Sequence, residues 1–540
     1  MDGLMMDYQL TIPKILDRAR TVFPEKEVVS VLPSGAKHRY TYADMYQRVG
    51  RLMNVLRDLG VKRGDRVATF AWNHFRHVEL YYAIPCMGAV LHTLNIRLFP
   101  EQLQYIVNHA EDSIIFVDAS LLKPLEALAK TFKSVRQYVV ITEDGKLPQT
   151  TLSPVVEFEA LMAKASDKVE FPALSENEAS GLCYTSGTTG HPKGALYSHR
   201  SQYIHTLLAG QTDVLGMSEV DTVLPVVPMF HANAWSTPYT CAFTGCKLVF
   251  AGANVAPDAL VELMLSEGVT YALGVPTIWI GLLQYLREHK LNLGKVKKMV
   301  VGGSSVPRSL IAAFKTEFGA DIIQGWGMTE MSPLGSTGRT KGYMQDWPLE
   351  RKFDVLAKAG LPCPAVEVKV VDAMGKELPH DGRSAGELLV RGPAIVKAYY
   401  NNDEAKGQFT PDGWFRTGDV AALDKDCYVS ITDRTKDLIK SGGEWISSVE
   451  MENAIMSCPG VVESAVVARP DAKWDERPVA FVVRKAGATT PTSKDVVQHL
   501  ATHFAKWQLP TEEDVRFIEQ IPRTSVGKFD KKVLRANLHA

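Results

Sequence analysis

At 540 residues the chain is too long for one hydrophobic core, which points to about two to four domains. A composition of 46% hydrophobic and 22% charged residues is globular and excludes disorder as the organising principle. The 60 Lys and Arg against 61 Asp and Glu leave a net charge of −1, which excludes the basic excess of a nucleic-acid binder. Seven cysteines, an odd number with no C-x-x-C pair, read as reduced thiols of a cytoplasmic protein. Residues Met1 to Asp7 lack a basic segment followed by an apolar one, so no signal peptide is expected. No apolar run approaches the ~18 residues of a membrane span. A lipid substrate would have to come from solution, a carrier or a membrane surface.

In chain order, residues 41–60 read as a helix with a Thr41/Asp44 capping box, one face of Met45, Val49, Leu52, Leu56 and Leu59, and Gly60 at its end. A strand at 66–70, a helix near 77–87, a strand at 90–94, a helix at 99–109 and a strand at 114–117 follow. Strand and helix alternating at this spacing imply βαβ units and a mainly parallel sheet. Ala195-Leu196-Tyr197 reads as a strand, and further strands are expected at 222–227, 247–251, 270–273, 298–301 and 321–324, separated by helices. The segment 365–398 turns strand-rich and suggests a small β subdomain. After Asp433 the pattern resets: a short helix opening with Ser447 and Glu450, strands at 461–467 and 478–484, a helix near 493–506 and a strand at 514–518. The expected class is α/β: a large N-terminal domain of two α/β layers plus a small β subdomain, then a small, mobile α+β C-terminal domain. The apolar N-terminal stretch from Met5 to Ala19 is expected to pack on a partner.

The densest chemistry lies in Thr185-Ser186-Gly187-Thr188-Thr189-Gly190-His191-Pro192-Lys193-Gly194. Three glycines let backbone N–H groups approach an anion, the Thr and Ser hydroxyls add donors, and Lys193 adds a point charge. This is a phosphate cradle rather than a solvated turn. It is not a Walker loop, because Pro192 stands where that motif has Gly and Gly194 where it has Ser or Thr. Gln324-Gly325-Trp326-Gly327-Met328-Thr329-Glu330 follows a strand and places an aromatic face where α/β sheets bind ligands, with a hydroxyl and a hard carboxylate oxygen suited to Mg²⁺ beside it.

The loop 185–194 resembles the phosphate motif of the adenylate-forming superfamily (acyl-CoA synthetases, luciferases and peptide-synthetase adenylation domains). Further motifs follow in that family's order over nearly the whole chain, and the bacterial medium- and long-chain fatty acyl-CoA synthetases are the nearest branch. The resemblance implies that Trp326 stacks adenine, where the family more often has Tyr, whose phenol hydrogen bond would be lost. It implies that Thr329 binds the α-phosphate, and that Glu330 and Thr185 hold Mg²⁺. Asp419, otherwise a turn aspartate, would bind the ribose together with Arg434. Lys436 would be the hinge between residues 1–435 and 436–540. Lys440, Ser441, Gly442, Gly443, Glu444 and Trp445 would approach the nucleotide or CoA. Lys528, otherwise a surface lysine, would reach the substrate carboxylate and the α-phosphate. His231, otherwise a core histidine, would stand beside that carboxylate, and Trp235 would close the acyl tunnel. Gly302, Gly303 and Ser304 would line the pocket and the adenine site, with Gly325.

The implied reaction joins an acid to ATP as an acyl-adenylate, with Lys528, Lys193 and Mg²⁺ neutralising charge, and then to CoA. The leading reading is a medium- or long-chain fatty acid–CoA ligase. The alternative keeps the chemistry with a short or sulfur-containing acid such as 3-methylmercaptopropionate, in which case Trp235 caps a short pocket. An aryl-acid ligase or luciferase fits the Phe230–Trp235 stretch less well, and an amino-acid adenylation domain lacks an Asp just after Ala234 to hold an ammonium. A non-catalytic nucleotide or acyl-CoA sensor would need a broken motif, whereas Lys193, Glu330, Asp419 and Lys528 are all present. A homodimer is expected through the N-terminal end, by resemblance to the same branch.

Overall fold

A computed structural model describes the whole chain except Asp2, 186–190, Thr435, Gly442, Gly443, Ala486, 525–527, 539 and 540, and the side chain of Glu444. The capping box is present: Asp44 N–H donates to Thr41 Oγ1 at 3.2 Å and Thr41 N–H to Asp44 Oδ2 at 2.9 Å, opening the helix Tyr42–Asp58. The strands are short and β-branched-rich, as buried parallel strands are. Glu27–Val31, Lys247–Phe250, Thr222–Pro225, Tyr271–Gly274, Lys298–Gly302 and Asp321–Gly327 pair in parallel in that order. Lys37–Thr41 closes one edge of this nine-stranded sheet, and Leu334–Thr337 with Leu361–Pro362 the other, all antiparallel.

A second, seven-stranded sheet has the order Val155–Glu157, Gln137–Ile141, Ile114–Asp118, Arg66–Phe70, Val90–Thr93, Ala179–Tyr184 and Gly194–Ser198; only the last strand is antiparallel. The helices Ile12–Val22, Tyr42–Asp58, Phe75–Cys86 and Thr237–Thr244 pack with one face of each sheet into the main core. Each fully buried Leu, Ile or Phe there contributes about 1.5–3 kcal/mol of hydrophobic stabilisation.

The apolar side chains Ile12, Ile15, Leu16 and Ala19 of the N-terminal stretch are fully buried within the chain, whereas Leu4, Met5, Met6 and Tyr8 are exposed. Two expectations are corrected. The β subdomain extends past 398, because Phe415–Leu423 and Val429–Arg434 complete an antiparallel sheet with Glu367–Val371 and Gly386–Arg391. The helix expected over 493–506 is Ser493–Leu500; Val496 and Leu500 fill its core slot, and Ala501, Thr502 and His503 beyond it are exposed. The C-terminal unit is a mixed five-stranded sheet in which Val461–Asp471 and Asp475–Arg484 form the long hairpin.

Candidate active site

The parallel strands Thr222–Pro225, Lys298–Gly302 and Asp321–Gly327 end at one edge of the large sheet, where open α/β sheets bind ligands. Their trailing segments carry His231, Gly303 and Glu330. The second sheet brings the glycine-rich loop to the same edge. Its two ends are tied: Thr185 N–H donates to the Lys193 carbonyl at 2.9 Å, and Lys193 N–H to Thr185 Oγ1 at 3.3 Å. Ser186, Gly187, Thr188, Thr189 and Gly190 lie outside the described residues. Tyr399, which sequence reasoning missed, gathers two of the expected groups. Its hydroxyl donates to Glu330 Oε1 at 2.6 Å, and Lys193 Nζ lies 5.2 Å from its ring centre. Burial first, and the Glu330 charge second, push the Tyr399 phenol well above its ordinary range, so it stays a donor. The aromatic pair Tyr399-Tyr400 was the only sequence signal. Tyr197 fixes the next residue back, donating to the Thr329 carbonyl at 2.6 Å.

Asp419 and Arg434 face each other across two strands of the β subdomain, and Arg434 Nε meets Asp419 Oδ1 at 2.6 Å. Trp326 Nε1 donates to the other oxygen, Oδ2, at 2.9 Å. The phenol bond of a Tyr is absent here, and the indole N–H supplies a donor of its own at this position. Gly335 lets the indole lie flat, since a Cβ there would sit 2.6 Å from Trp326 Cζ3.

Gly302 admits no side chain. A Cβ would approach the Gly325 carbonyl oxygen at 2.8 Å and Trp235 Cη2 at 3.2 Å. Trp235 thus covers Gly302 on one side and packs against the main core on the other. It stands on an unusual turn. Ala232, Asn233, Ala234, Trp235 and Ser236 have φ of 42°, 55°, 47°, 55° and 64°. Five consecutive non-glycine residues in the left-handed region cost about 1–2 kcal/mol each and must be held from outside. Cys183 Sγ donates to Asn233 Oδ1 at 3.3 Å, and Thr237 Oγ1 to the Ala234 carbonyl at 2.8 Å. Asn73 holds the segment before the turn: its Nδ2 donates to the carbonyls of Pro225 at 3.1 Å and Val227 at 2.8 Å, and its Oδ1 accepts from Met229 N–H at 2.7 Å. Neither Asn73 nor the turn's conformation carries a local sequence signal.

Lys528 arrives from the C-terminal unit, with Cε 4.0 Å from where a Gly303 Cβ would stand. Burial, with Arg434 adding to it, lowers its ammonium to about 8, against the pull of Asp419 and Glu330. Burial and then the Lys528 charge hold His231 down to about 3, so the imidazole is neutral. The structure therefore brings Lys193, Glu330, Asp419, Arg434, His231, Trp235, Gly302, Gly303, Trp326 and Lys528 to one mouth. Thr185, Gly325, Gly327, Met328 and Thr329 belong to its walls. Others stand apart. Gln324 is buried, its carbonyl accepting from Gly338 N–H at 2.7 Å, and Ser304 is exposed. Lys436 is exposed on a turn. Lys440 Nζ faces Asp475 Oδ2 at 3.5 Å, Ser441 Oγ accepts from Arg477, and the Trp445 ring is 56% exposed. Gly442 and Gly443 lie outside the described residues, as does the Glu444 side chain.

Among the described residues, no three His, Cys, Asp or Glu side chains gather as a metal cage. The Glu330 carboxylate, held by the Tyr399 hydroxyl beside the glycine-rich loop, fits a Mg²⁺ that would keep waters and share phosphate oxygens rather than an all-protein cage. A charged loop, a carboxylate clamped by a cation and an indole, and a lysine delivered by a separate unit define a nucleotide-dependent α/β enzyme.

The comparisons agree. A family described as AMP-binding enzyme matches residues 16–400, and the AMP-binding enzyme C-terminal domain matches 450–528. The chain is 49% identical to a long-chain-fatty-acid–CoA ligase of Thermus thermophilus, over 98% of this chain and 96% of that one. It is 42% identical to a 3-methylmercaptopropionyl-CoA ligase of Ruegeria lacuscaerulensis, over 99% and 98%. ATP-bound MatB from Rhodopseudomonas palustris superposes with a TM-score of 0.83 at 28% identity, covering 98% and 99% of the two chains. The chain belongs to the AMP-binding enzyme family, the adenylate-forming superfamily, on the branch of the bacterial fatty acyl-CoA synthetases.

Proposed function

We infer that this AMP-forming acid–CoA ligase activates medium- or long-chain fatty acids. A carboxylate is a poor electrophile, so the acid oxygen attacks the α-phosphorus of ATP, pyrophosphate leaves, and an acyl-adenylate remains. The CoA sulfur then attacks the acyl carbon, its proton is lost, and AMP leaves. No protein nucleophile is needed; the residues position the reactants and neutralise charge. Lys193 and the loop 185–190 hold the triphosphate. Trp326 stacks adenine, Asp419 accepts from the ribose hydroxyls with Arg434 holding its orientation, and Thr329 donates to the α-phosphate. Glu330 and Thr185 would hold a Mg²⁺ ion, which would supply further charge neutralisation. The neutral His231 lies beside the acid, and the Lys528 ammonium bridges the acid carboxylate and the α-phosphate.

The observation that carries the substrate reading is Trp235. Its indole separates the mouth at Gly302 from the main apolar core, as a gate to an acyl tunnel would. The test is ATP- and CoA-dependent AMP release across acids from acetate to palmitate, with 3-methylmercaptopropionate included. A maximum at medium or long chains is expected. A maximum at short or sulfur-containing acids would make Trp235 the floor of a short pocket and put the alternative first.

The C-terminal unit turns about a hinge near Lys436, between residues 1–435 and 436–540, after adenylation. That motion withdraws Lys528 and presents Lys440 to Trp445, including the Gly442-Gly443 loop, to CoA. The placement of Lys528 beside Gly303 is the orientation for the first half-reaction. Lys528→Ala should block adenylation yet let CoA attack supplied acyl-adenylate; equal loss of both would overturn the assignment. Seven free cysteines support a reducing, cytoplasmic setting. No helix among the described residues is long and apolar enough to cross a membrane, so contact with one would be peripheral. The exposed Leu4, Met5, Met6 and Tyr8 support a homodimer through this end, which sedimentation of the chain lacking residues 1–8 tests.

A further inference from the structure

The strand Val429–Arg434 ends in two neighbours that face opposite ways, as successive strand residues do. Arg434 turns to Asp419 in the candidate site. Asp433 turns to the C-terminal unit, where its Oδ2 accepts from the Ser448 backbone N–H at 2.7 Å and the Ser448 hydroxyl at 2.6 Å. Ser448 opens the helix Ser448–Met456, so the carboxylate meets the helix end that favours a negative charge. Ser448 Oγ also accepts from Lys531 Nζ at 2.5 Å, and Lys531 pairs with Glu452 Oε1 at 2.7 Å. Glu452 is fixed in turn by Val466 N–H at 2.8 Å. Asp433 is 1% exposed, Ser448 0% and Glu452 7%, so this network is shielded from water.

The connectivity gives the network its meaning. Asp433 is held by sheet register opposite Val420, on the N-terminal side of Lys436. Ser448, Glu452 and Lys531 all lie on the C-terminal side. Lys531 opens the helix Lys531–Ala536, three residues beyond Lys528 in sequence, and Asp530 caps that helix by accepting from Lys532 and Val533 N–H at 3.1 and 3.3 Å. The segment that delivers Lys528 is thus tied through Lys531 and Ser448 to a carboxylate of the N-terminal body.

We propose that Asp433, Ser448 and Lys531 are positioning residues that latch the C-terminal unit in the orientation that places Lys528 beside His231 and Gly303, and that this latch opens before CoA attack. The proposal rests on the two-orientation reading given above. It assigns these side chains to one half-reaction only, because a turn about Lys436 carries Ser448 and Lys531 away from Asp433.

The test measures the half-reactions separately in the full chain. Asp433→Asn keeps the shape and removes the charge that the buried hydrogen bonds require. Single-turnover pyrophosphate release should fall roughly 10- to 100-fold, the usual worth of a charge-assisted hydrogen bond. CoA attack on supplied acyl-adenylate should stay unchanged or rise. Ser448→Ala, which spares the charge, should shift the ratio the same way by a smaller factor. A residue that merely supported folding would lower both rates together, and that result overturns the latch.

A second readout follows orientation directly. Asn453 Nδ2 donates to Ser305 Oγ at 3.4 Å across the two units. A Ser305→Cys/Asn453→Cys pair, with Cys427→Ser to remove the exposed thiol, reports the closed orientation through a short bis-maleimide. Cross-linking should be fast in the parent and slower with Asp433→Asn. If it fails to slow when a stable acyl-adenylate analogue and CoA are added to the parent, the two-orientation reading itself fails. If it responds to those ligands but Asp433→Asn matches the parent in both readouts, only the latch fails.

Discussion

Lys528 is in an electrostatic situation that an assay can read. Its ammonium is lowered from an ordinary 10.5 to about 8, chiefly by burial, with Arg434 and Lys436 adding repulsion. At about 1.36 kcal/mol per pH unit, that gap makes the charged form about 3 kcal/mol more costly here than in water. In its proposed role this lysine meets the acid carboxylate and the triphosphate, whose negative charge would offset the cost and raise its pKa. Only the protonated form can neutralise the developing charge. Adenylation measured as pyrophosphate release without CoA should therefore lose kcat/KM above pH 8, about tenfold per unit, since that parameter reports the free enzyme. The fall in kcat should begin at higher pH, because the bound complex holds the proton more tightly. Omitting CoA matters, since its thiol titrates in the same range. Lys528→Gln should be slow and should lack the alkaline limb. A kcat/KM flat to pH 9.5, or the same limb in Lys528→Gln, would refute the reasoning.

Trp326→Phe keeps an aromatic face but deletes the N–H that holds Asp419, leaving one buried carboxylate oxygen unpaired. KM for ATP should rise roughly 10- to 100-fold with KM for the acid nearly constant, by the worth of a charge-assisted hydrogen bond. Asn73→Ala removes three hydrogen bonds from the segment leading to His231 and Trp235. Steady-state kinetics should then show at least about a tenfold loss in kcat/KM for the acid and little change for ATP; an equal loss for both would contradict the positioning role. Gly302→Ala forces a Cβ to within 2.8 Å of the Gly325 carbonyl oxygen, so the strand pair or Trp235 must shift. Thermal unfolding should register a loss of about 1–3 kcal/mol, and acyl chain-length preference should move as well.

The sequence by itself determined what short-range chemistry controls. Glycines and hydroxyls in one loop, an aromatic at the end of a strand, alternating apolar periods and the Thr41/Asp44 box are all set within a dozen residues. These made the α/β class, the glycine-rich loop and the order of the motifs legible. The tertiary structure decided which distant groups meet. Val28 pairs with Leu248, so the first strand belongs to a sheet built mostly from residues two hundred positions later. Tyr399 reaches Glu330, Asn73 reaches Met229, and Asp433 reaches Ser448, each through backbone placement that no local pattern encodes. The left-handed turn at 232–236 is the clearest case, because local preference argues against every residue in it except Asn233. Such a conformation persists only where surrounding contacts outweigh its intrinsic cost, and those contacts come from chain segments brought together by the packing of the two large sheets.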